Sequence, residues 1–411
     1  MKKILILMML IVIIPDVSFA TDTIVSDQME ALNLGTFINA GEKYTKETFP
    51  EIEIQNLITE SLKGKVDNSI LYKGVLRLFG KELVSGITML GSILAIIIIH
   101  SILKNISESL GNDETSQVAY YIEYILIITI IAGNFTNIII SIKSTIANLV
   151  DFMNNLVPIL IALIVSTGQA ATGTIIQPVL IFAVVFIGNT INLVILPIIT
   201  VIMVLNIASN LSDKIQIGNL AKFFTSSVTW FLGFVITIFV GLLSLEGTLT
   251  SSVDGITVKG IKSATATFVP VVGKALGDSV DTVLGATSLI KNSVGFVGIL
   301  IVIGICSLPI IKLTILSILY SLVSAISEPL ADKKIVTVIS QMAVVFKILL
   351  GIVFFIAVVQ ILLIYFGGTL FRTTGLSIYE FEIMLLLAFS IIPFDFIRKI
   401  ILKKKGISRK I

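Results

Sequence analysis

Residues 343 to 366 read AVVFKILLGIVFFIAVVQILLIYF, an apolar run whose only charge is Lys347. Wound as an α-helix it is about 36 Å long, enough to cross a hydrocarbon core of about 30 Å. Seven further apolar runs lie at 83–103, 119–140, 155–167, 176–206, 223–245, 294–326 and 383–402. Across the 411 residues 55% are hydrophobic and 13% are charged, about half the charged share of an average soluble domain. The charges are also unevenly placed. Residues 21–82 hold 17 and the tail from Arg398 holds 7, while the 315 residues from 83 to 397 hold only 28. That middle stretch belongs in lipid, and the fold class is all-α, a polytopic membrane protein.

The N-terminus reads Lys2-Lys3, an apolar run from Ile4 to Ile14, Pro15, and the small-x-small ending Ser18-Phe19-Ala20. This is the pattern of a secretory signal peptide over 1–20; the alternative is an uncleaved anchor. Either way, the chain from Thr21 begins outside the cytoplasm. Residues 21–82 mix charges with apolar positions at helical spacing (Ile54, Leu57, Ile58, Leu62, then Ile70, Leu71, Val75, Leu78). We read them as an extracytoplasmic helical segment, too small to build a core alone.

Eight crossings from an outside start would leave the basic tail 403–411 outside, against the positive-inside rule. The shortest run, 155–167, begins near Asn154, Asn155 and Pro158, and its length suits a re-entrant segment. Seven crossings then remain, distributed over 83–246 and 294–402. Lys214, Lys222, Lys333, Lys334 and the tail become cytoplasmic, and 247–293 faces outside. The net charge of +3 is thereby a topology signal rather than a sign of nucleic-acid binding. Pro197 and Pro309 fall inside runs longer than one straight span needs, which predicts kinked, tilted or broken helices.

Residues 247–293 differ from the rest in their Gly, Ser and Thr content and their closely spaced charges. Phe268, Val272, Leu276, Val280 and Val283 recur at three and four, while Lys274, Asp278 and Asp281 share another face, which is an amphipathic helix pattern. Lys274 and Asp278 are spaced for an i, i+4 ion pair, and Gly273 and Gly277 permit close helix approach. The region is either an interfacial helix covering the bundle or a polar face lining a vestibule or meeting partner proteins. Asn189 and Asn192, three apart in an apolar run, are either interhelical hydrogen-bond glue or conduit lining. Glu246, Lys312, Lys347 and Asp395 fall near span ends, where snorkelling is the default.

One cysteine, Cys306, and one histidine, His100, cannot assemble a disulfide or a Cys/His metal site within one chain; both read as packing residues. The nearest phosphate-loop lookalike, Gly255 to Gly260, is followed by Ile261 where lysine is required. No catalytic motif, metal site or cofactor site is expected, and any ATP-driven role requires a separate ATPase chain.

Five stretches carry a resemblance: Val157-Pro158-Ile159-Leu160-Ile161-Ala162-Leu163, Gln177-Pro178-Val179-Leu180, Phe268-Val269-Pro270-Val271-Val272-Gly273, Asp281-Thr282-Val283 and Ile290-Lys291-Asn292-Ser293-Val294-Gly295. In their order, with the signal peptide and basic tail, the chain resembles the stage III sporulation protein AE family from about Leu62 onward. The resemblance implies a multi-pass protein of the mother-cell membrane around the forespore; none of the five stretches is a catalytic motif, so they point to the family without pointing to a mechanism. It further implies membership of an eight-protein AA to AH assembly with a cytoplasmic ATPase. That assembly would meet the stage II sporulation protein Q of the forespore and form a secretion-like feeding channel. The rival reading is a stand-alone secondary transporter, which the broken spans and the two asparagines suggest and the lack of an internal repeat opposes.

Overall fold

The computed structural model describes residues 34–46, 48–50, 52–63, 68–109, 113–167, 170–211, 217–241 and 273–366. Every element among them is helical. Two short helices, α1 (Gly35–Thr45) and α2 (Ile54–Leu62), precede α3 (Asn68–Ser109) and α4 (Asp113–Ser166). Next come α5 (Ala170–Thr190), a π-helical turn (Ile191–Ile195) and α6 (Leu196–Leu211). Helix α7 covers Gly218–Gly241. The long pair α8 (Gly273–Ser327) and α9 (Lys333–Phe366) closes the bundle.

Six stretches are long and apolar enough to cross a membrane: Lys73–Ile99, Tyr120–Ser166, Gln177–Leu211, Gly218–Gly241, Leu284–Ser327 and Lys333–Ile364. They answer to six of the seven expected crossings; the seventh, 383–402, lies outside the described residues. The re-entrant reading of 155–167 needs correction. That run is the C-terminal part of α4, continuous with 119–140 across Pro158. Asn155, expected to mark a start, donates Nδ2 to the Asp151 carbonyl at 2.8 Å and so caps a carbonyl inside the helix. The composition boundaries at 82/83 and 293/294 also fall inside single helices, α3 and α8, because a helix passes from one environment to another without breaking.

Helices α4 and α8, of 54 and 55 residues, are each about 80 Å long, well beyond a hydrocarbon core of about 30 Å. Helix α7 fits such a core in length and is mostly exposed. Close helix contact comes from small residues, since apolar burial drives little association within lipid. A Cβ on Gly188 would lie 2.7 Å from Val150 Cγ2, and one on Gly298 would lie 2.9 Å from Leu156 Cδ2. The buried core runs through the whole assembly, from Phe37 and Phe152 to Ile301 and Phe346. At Pro197 the expected break takes a specific form. A proline ring clashes with the carbonyl four residues back and offers no N–H, and the π-helical turn immediately before it widens the helix there. Pro309 is accommodated inside an unbroken α8.

Candidate functional site

Helix α1 buries Phe37, Gly41 and Thr45, one residue in four along a single face. Helix α2 buries Ile54, Leu57 and Ile58. Between them a tight turn is closed by Phe49 N–H donating to the Thr45 carbonyl at 2.7 Å and Ile52 N–H to the Phe49 carbonyl at 3.1 Å. The buried faces dock onto α4 and α8. The Phe37 ring lies 6.0 Å from that of Phe152, and Thr48 Oγ1 donates to the Gly304 carbonyl at 3.1 Å. Phe49 fills the space left by two glycines: a Cβ on Gly74 would overlap its ring, and one on Gly304 would lie 3.4 Å from it.

At the exposed rim of this docked pair sits a charged cluster. Tyr44 donates its hydroxyl to Asp151 Oδ2. Lys43 Nζ donates to the Tyr44 hydroxyl at 3.2 Å, lies 3.9 Å from Asp151 and stands 4.7 Å over the Tyr44 ring. Burial first, and then the hydrogen bond to Asp151, push the Tyr44 phenol above its ordinary value. The hydrogen bond to Tyr44 is the main cause raising Lys43.

Deeper in the bundle, polar side chains join helices in the span region. Tyr124 on α4 donates its hydroxyl to the Ile207 carbonyl at 2.7 Å, and Asn210 on α6 donates Nδ2 to Gln341 Oε1 on α9 at 2.8 Å. The first ties α4 to the C-terminal end of α6, and the second holds that end beside the first turns of α9. Glu123, beside Tyr124, is buried. Sequence reasoning passed over it, although it is the only acidic residue in the run 119–140. It also passed over Tyr44, Thr48 and Asp151, whose significance depends on contacts across more than a hundred positions.

Lys274, Gly277, Asp278 and Asp281 fall on the first turns of α8, which begins at Gly273; their side chains lie outside the described residues. Asn189 and Asn192 do not form one polar site. Asn189 is exposed on the outward stripe that carries Phe182 and Phe186, two rings stacked 5.5 Å apart. Asn192 sits in the π-helical turn, and its Oδ1 is buried without a hydrogen-bond partner. Lys347, expected near a span end, lies instead near the middle of the stretch Lys333–Ile364; it is exposed and donates to Ser321 Oγ at 3.5 Å, toward the start of α9. Cys306 is buried in the core, as expected of a packing residue. The side chain of His100 lies outside the described residues. Among the described residues no three of His, Cys, Asp and Glu gather as metal ligands.

The family model for stage III sporulation protein AE matches residues 52–366, from α2 to the end of α9. The chain belongs to the stage III sporulation protein AE family. The match starts ten residues before the Leu62 from which the resemblance was expected to run, so α2 is part of the family region, while α1 with Lys43 and Tyr44 precedes it. The chain is 32% identical over 260 residues to stage III sporulation protein AE of Bacillus subtilis (strain 168). That alignment covers 63% of this chain and 65% of the relative. No solved structure matches. This member of the family is therefore a stage III sporulation protein with the helices of a multi-pass membrane protein.

Proposed function

We propose that this protein is a non-enzymatic membrane subunit of a transenvelope channel complex joining mother cell and forespore. In this reading it resides in the mother-cell membrane with its C-terminus in the cytoplasm. It acts beside the other stage III AA to AH proteins, including a separate cytoplasmic ATPase, and faces stage II sporulation protein Q across the intermembrane space. The observation that carries the proposal is the family match over 52–366. The helix lengths support it: α4 and α8 greatly exceed one membrane thickness, and the projecting parts give partner proteins a rigid surface to meet. The exposed aromatic pair Phe182 and Phe186 and the charged first turns of α8 are the surfaces we assign to that contact.

The test is affinity purification of the tagged protein from sporulating cells, wild type against Asp278→Lys and Gly277→Leu. Recovery of the AA to AH partners with the wild type, with sporulation impaired in variants that still reach the membrane, is the expected result. Normal sporulation in both variants removes the role given to the start of α8. The stand-alone transporter reading has the π-helical turn with the buried Asn192 Oδ1 in its favour. Solute movement by the purified protein alone in liposomes would select it instead.

A further inference from the structure

Helix α7 lies beside α9 with an open groove between them, lined by Thr229, Gly233 and Ile236 on one side and Lys347, Gly351 and Phe355 on the other. Lys347 stands near the middle of the stretch Lys333–Ile364, 14 residues from its start and 17 from its end. Those separations are about 21 and 26 Å along a helix, beyond the reach of a lysine's four methylenes, so snorkelling does not bring the ammonium to either surface. Among the described residues it meets a neutral hydroxyl, Ser321 Oγ at 3.5 Å, and no carboxylate within ion-pair distance. A cation at that depth is costly unless an acid pairs with it. The groove therefore calls for an occupant that brings a carboxylate to mid-span.

The walls suit a helix. Thr229, Gly233, Thr237 and Gly241 recur at every fourth position of α7 and are all exposed, and a Cβ on Gly233 or Gly351 would meet nothing within 4 Å. Small residues in such a row let another helix backbone approach closely. Of the eight apolar runs two carry an acid, Glu123 in 119–140 and Asp395 in 383–402. Glu123 is buried on α4, a helix absent from the groove walls. Asp395 belongs to the run outside the described residues, which follows α9 after a connection, 367–382, of 16 residues. Such a connection spans about 50 Å when extended, ample for the chain to turn back along α9.

Depth selects the same residue. A run returning antiparallel to α9 with Ile383 opposite Ile364 places Asp395 opposite Ile352, and one with Leu402 opposite Lys333 places it opposite Ser340. Lys347 lies between these limits. Arg398 and Lys399 draw the run toward the second limit, and the Lys347 side chain leans the same way, toward the start of α9. We propose that 383–402 crosses the membrane in the α7/α9 groove, antiparallel to α9, with the Asp395 carboxylate paired to the Lys347 ammonium. Asp395 then sits inside the span rather than at its end, and the chain supplies the counter-charge to its own groove.

The test is disulfide trapping in the full chain, expressed without partner proteins in a Cys306→Ala background. Gly351→Cys in the groove is combined with one further cysteine at each position from Met384 to Phe394. A protease site placed in 367–382 lets the two parts of the chain separate unless a disulfide holds them. Membranes are oxidised with copper phenanthroline, cleaved and run without reductant. The parts are expected to stay joined for positions on one helical face, recurring at three and four, and to separate on reduction. On the best-joined pair, Lys347→Gln and Asp395→Asn are each expected to slow joining about five-fold, equivalent to about 1 kcal/mol, because each leaves one charge unpaired in the span. The double variant has no unpaired charge and is expected to recover the rate. No joining at any position overturns the proposal and leaves the groove to lipid or to a partner protein. Joining between two chains, seen as a dimer-sized band, overturns it in favour of a second copy. A rate indifferent to both single variants, or not recovered in the double, overturns the pairing of Lys347 with Asp395. Partner proteins are absent from this assay, so its outcome does not depend on the channel-complex reading.

Discussion

Thr48 Oγ1 donates a hydrogen bond to the carbonyl of Gly304 across 256 positions of sequence. It ties the turn between α1 and α2 to the middle of α8. Glycine at 304 is what allows the approach, since even a Cβ there would lie 3.1 Å from Thr45 Cγ2.

Gly304→Leu is therefore expected to undock α1 and α2 while leaving the membrane bundle assembled, because overpacking at such a site costs about 1–3 kcal/mol. Limited trypsin digestion checks this: cleavage at Lys43, Lys46 and Lys63 should accelerate several-fold. An unchanged digestion rate would mean that the contact does not hold the segment.

Phe37 is fully buried against Phe152. Phe37→Ala removes a core aromatic, a change that costs about 3–5 kcal/mol in a packed site. It should expose the same tryptic sites to a greater degree than Thr48→Ala, which loses one hydrogen bond worth about 1 kcal/mol. The reverse order of sensitivity would contradict a docking driven by packing.

The rim cluster gives docking a pH dependence of definite sign. The Tyr44 phenol is raised above its ordinary value, by burial first and then by its bond to Asp151. A group whose folded pKa is raised contributes stability that is full below the unfolded value, about 10 for tyrosine, and is lost as pH rises through the folded value. Lys43 is shifted in the same direction, chiefly by its bond to Tyr44. Docking should thus be constant from pH 7 to 9 and weaken only above about pH 10. Tyr44→Phe should remove most of the alkaline loss, as read by hydrogen exchange of the α1 amides across that range.

Asn210 and Gln341 join α6 to α9 at 2.8 Å. A double-mutant cycle with Asn210→Leu and Gln341→Leu, followed by unfolding in detergent, should return a coupling of about 0.6 kcal/mol and no more than about 1.7, the range seen for interhelical hydrogen bonds in membranes. A coupling indistinguishable from zero would show that the pair is incidental.

Because Cys306 is the only cysteine and is buried, replacing it leaves a background for accessibility mapping. Single cysteines at Gly168, Asp278 and Lys333 should label from outside, outside and the cytoplasm respectively. Labelling of the Asp278 position from the cytoplasm alone would reverse the topology proposed for the whole protein.

Much of the fold was readable in the run lengths. An apolar stretch of about 20 residues in a chain with so few charges has one stable solution in lipid, a helix whose backbone bonds are all internal, so six spans appear where the runs predicted them. The run 155–167 misled because length alone cannot separate a short membrane segment from the end of a longer helix. What precedes it, 141–154, carries Lys143, Asp151 and the asparagines and looks like a loop. In the structure Lys143 and Asp151 point outward, while Ile142, Ile146, Leu149 and Phe152 stay buried, so the helix continues through. The paired asparagines diverged for a related reason: a π-helical turn shifts the angular register, and Asn192 turns inward while Asn189 does not.

The sequence by itself determined that this chain is helical, that it spans a membrane several times and that it belongs with the stage III sporulation protein AE family. Composition, run length and short ordered motifs are local properties, and they survive any rearrangement of the helices. Only the tertiary structure decided that Thr48 meets Gly304, that Tyr44 bonds Asp151, and that α7 stands off from α9 beside Lys347. Those facts depend on which side chains fill the space between helices far apart in sequence, and periodicity carries no record of the neighbour a face will find.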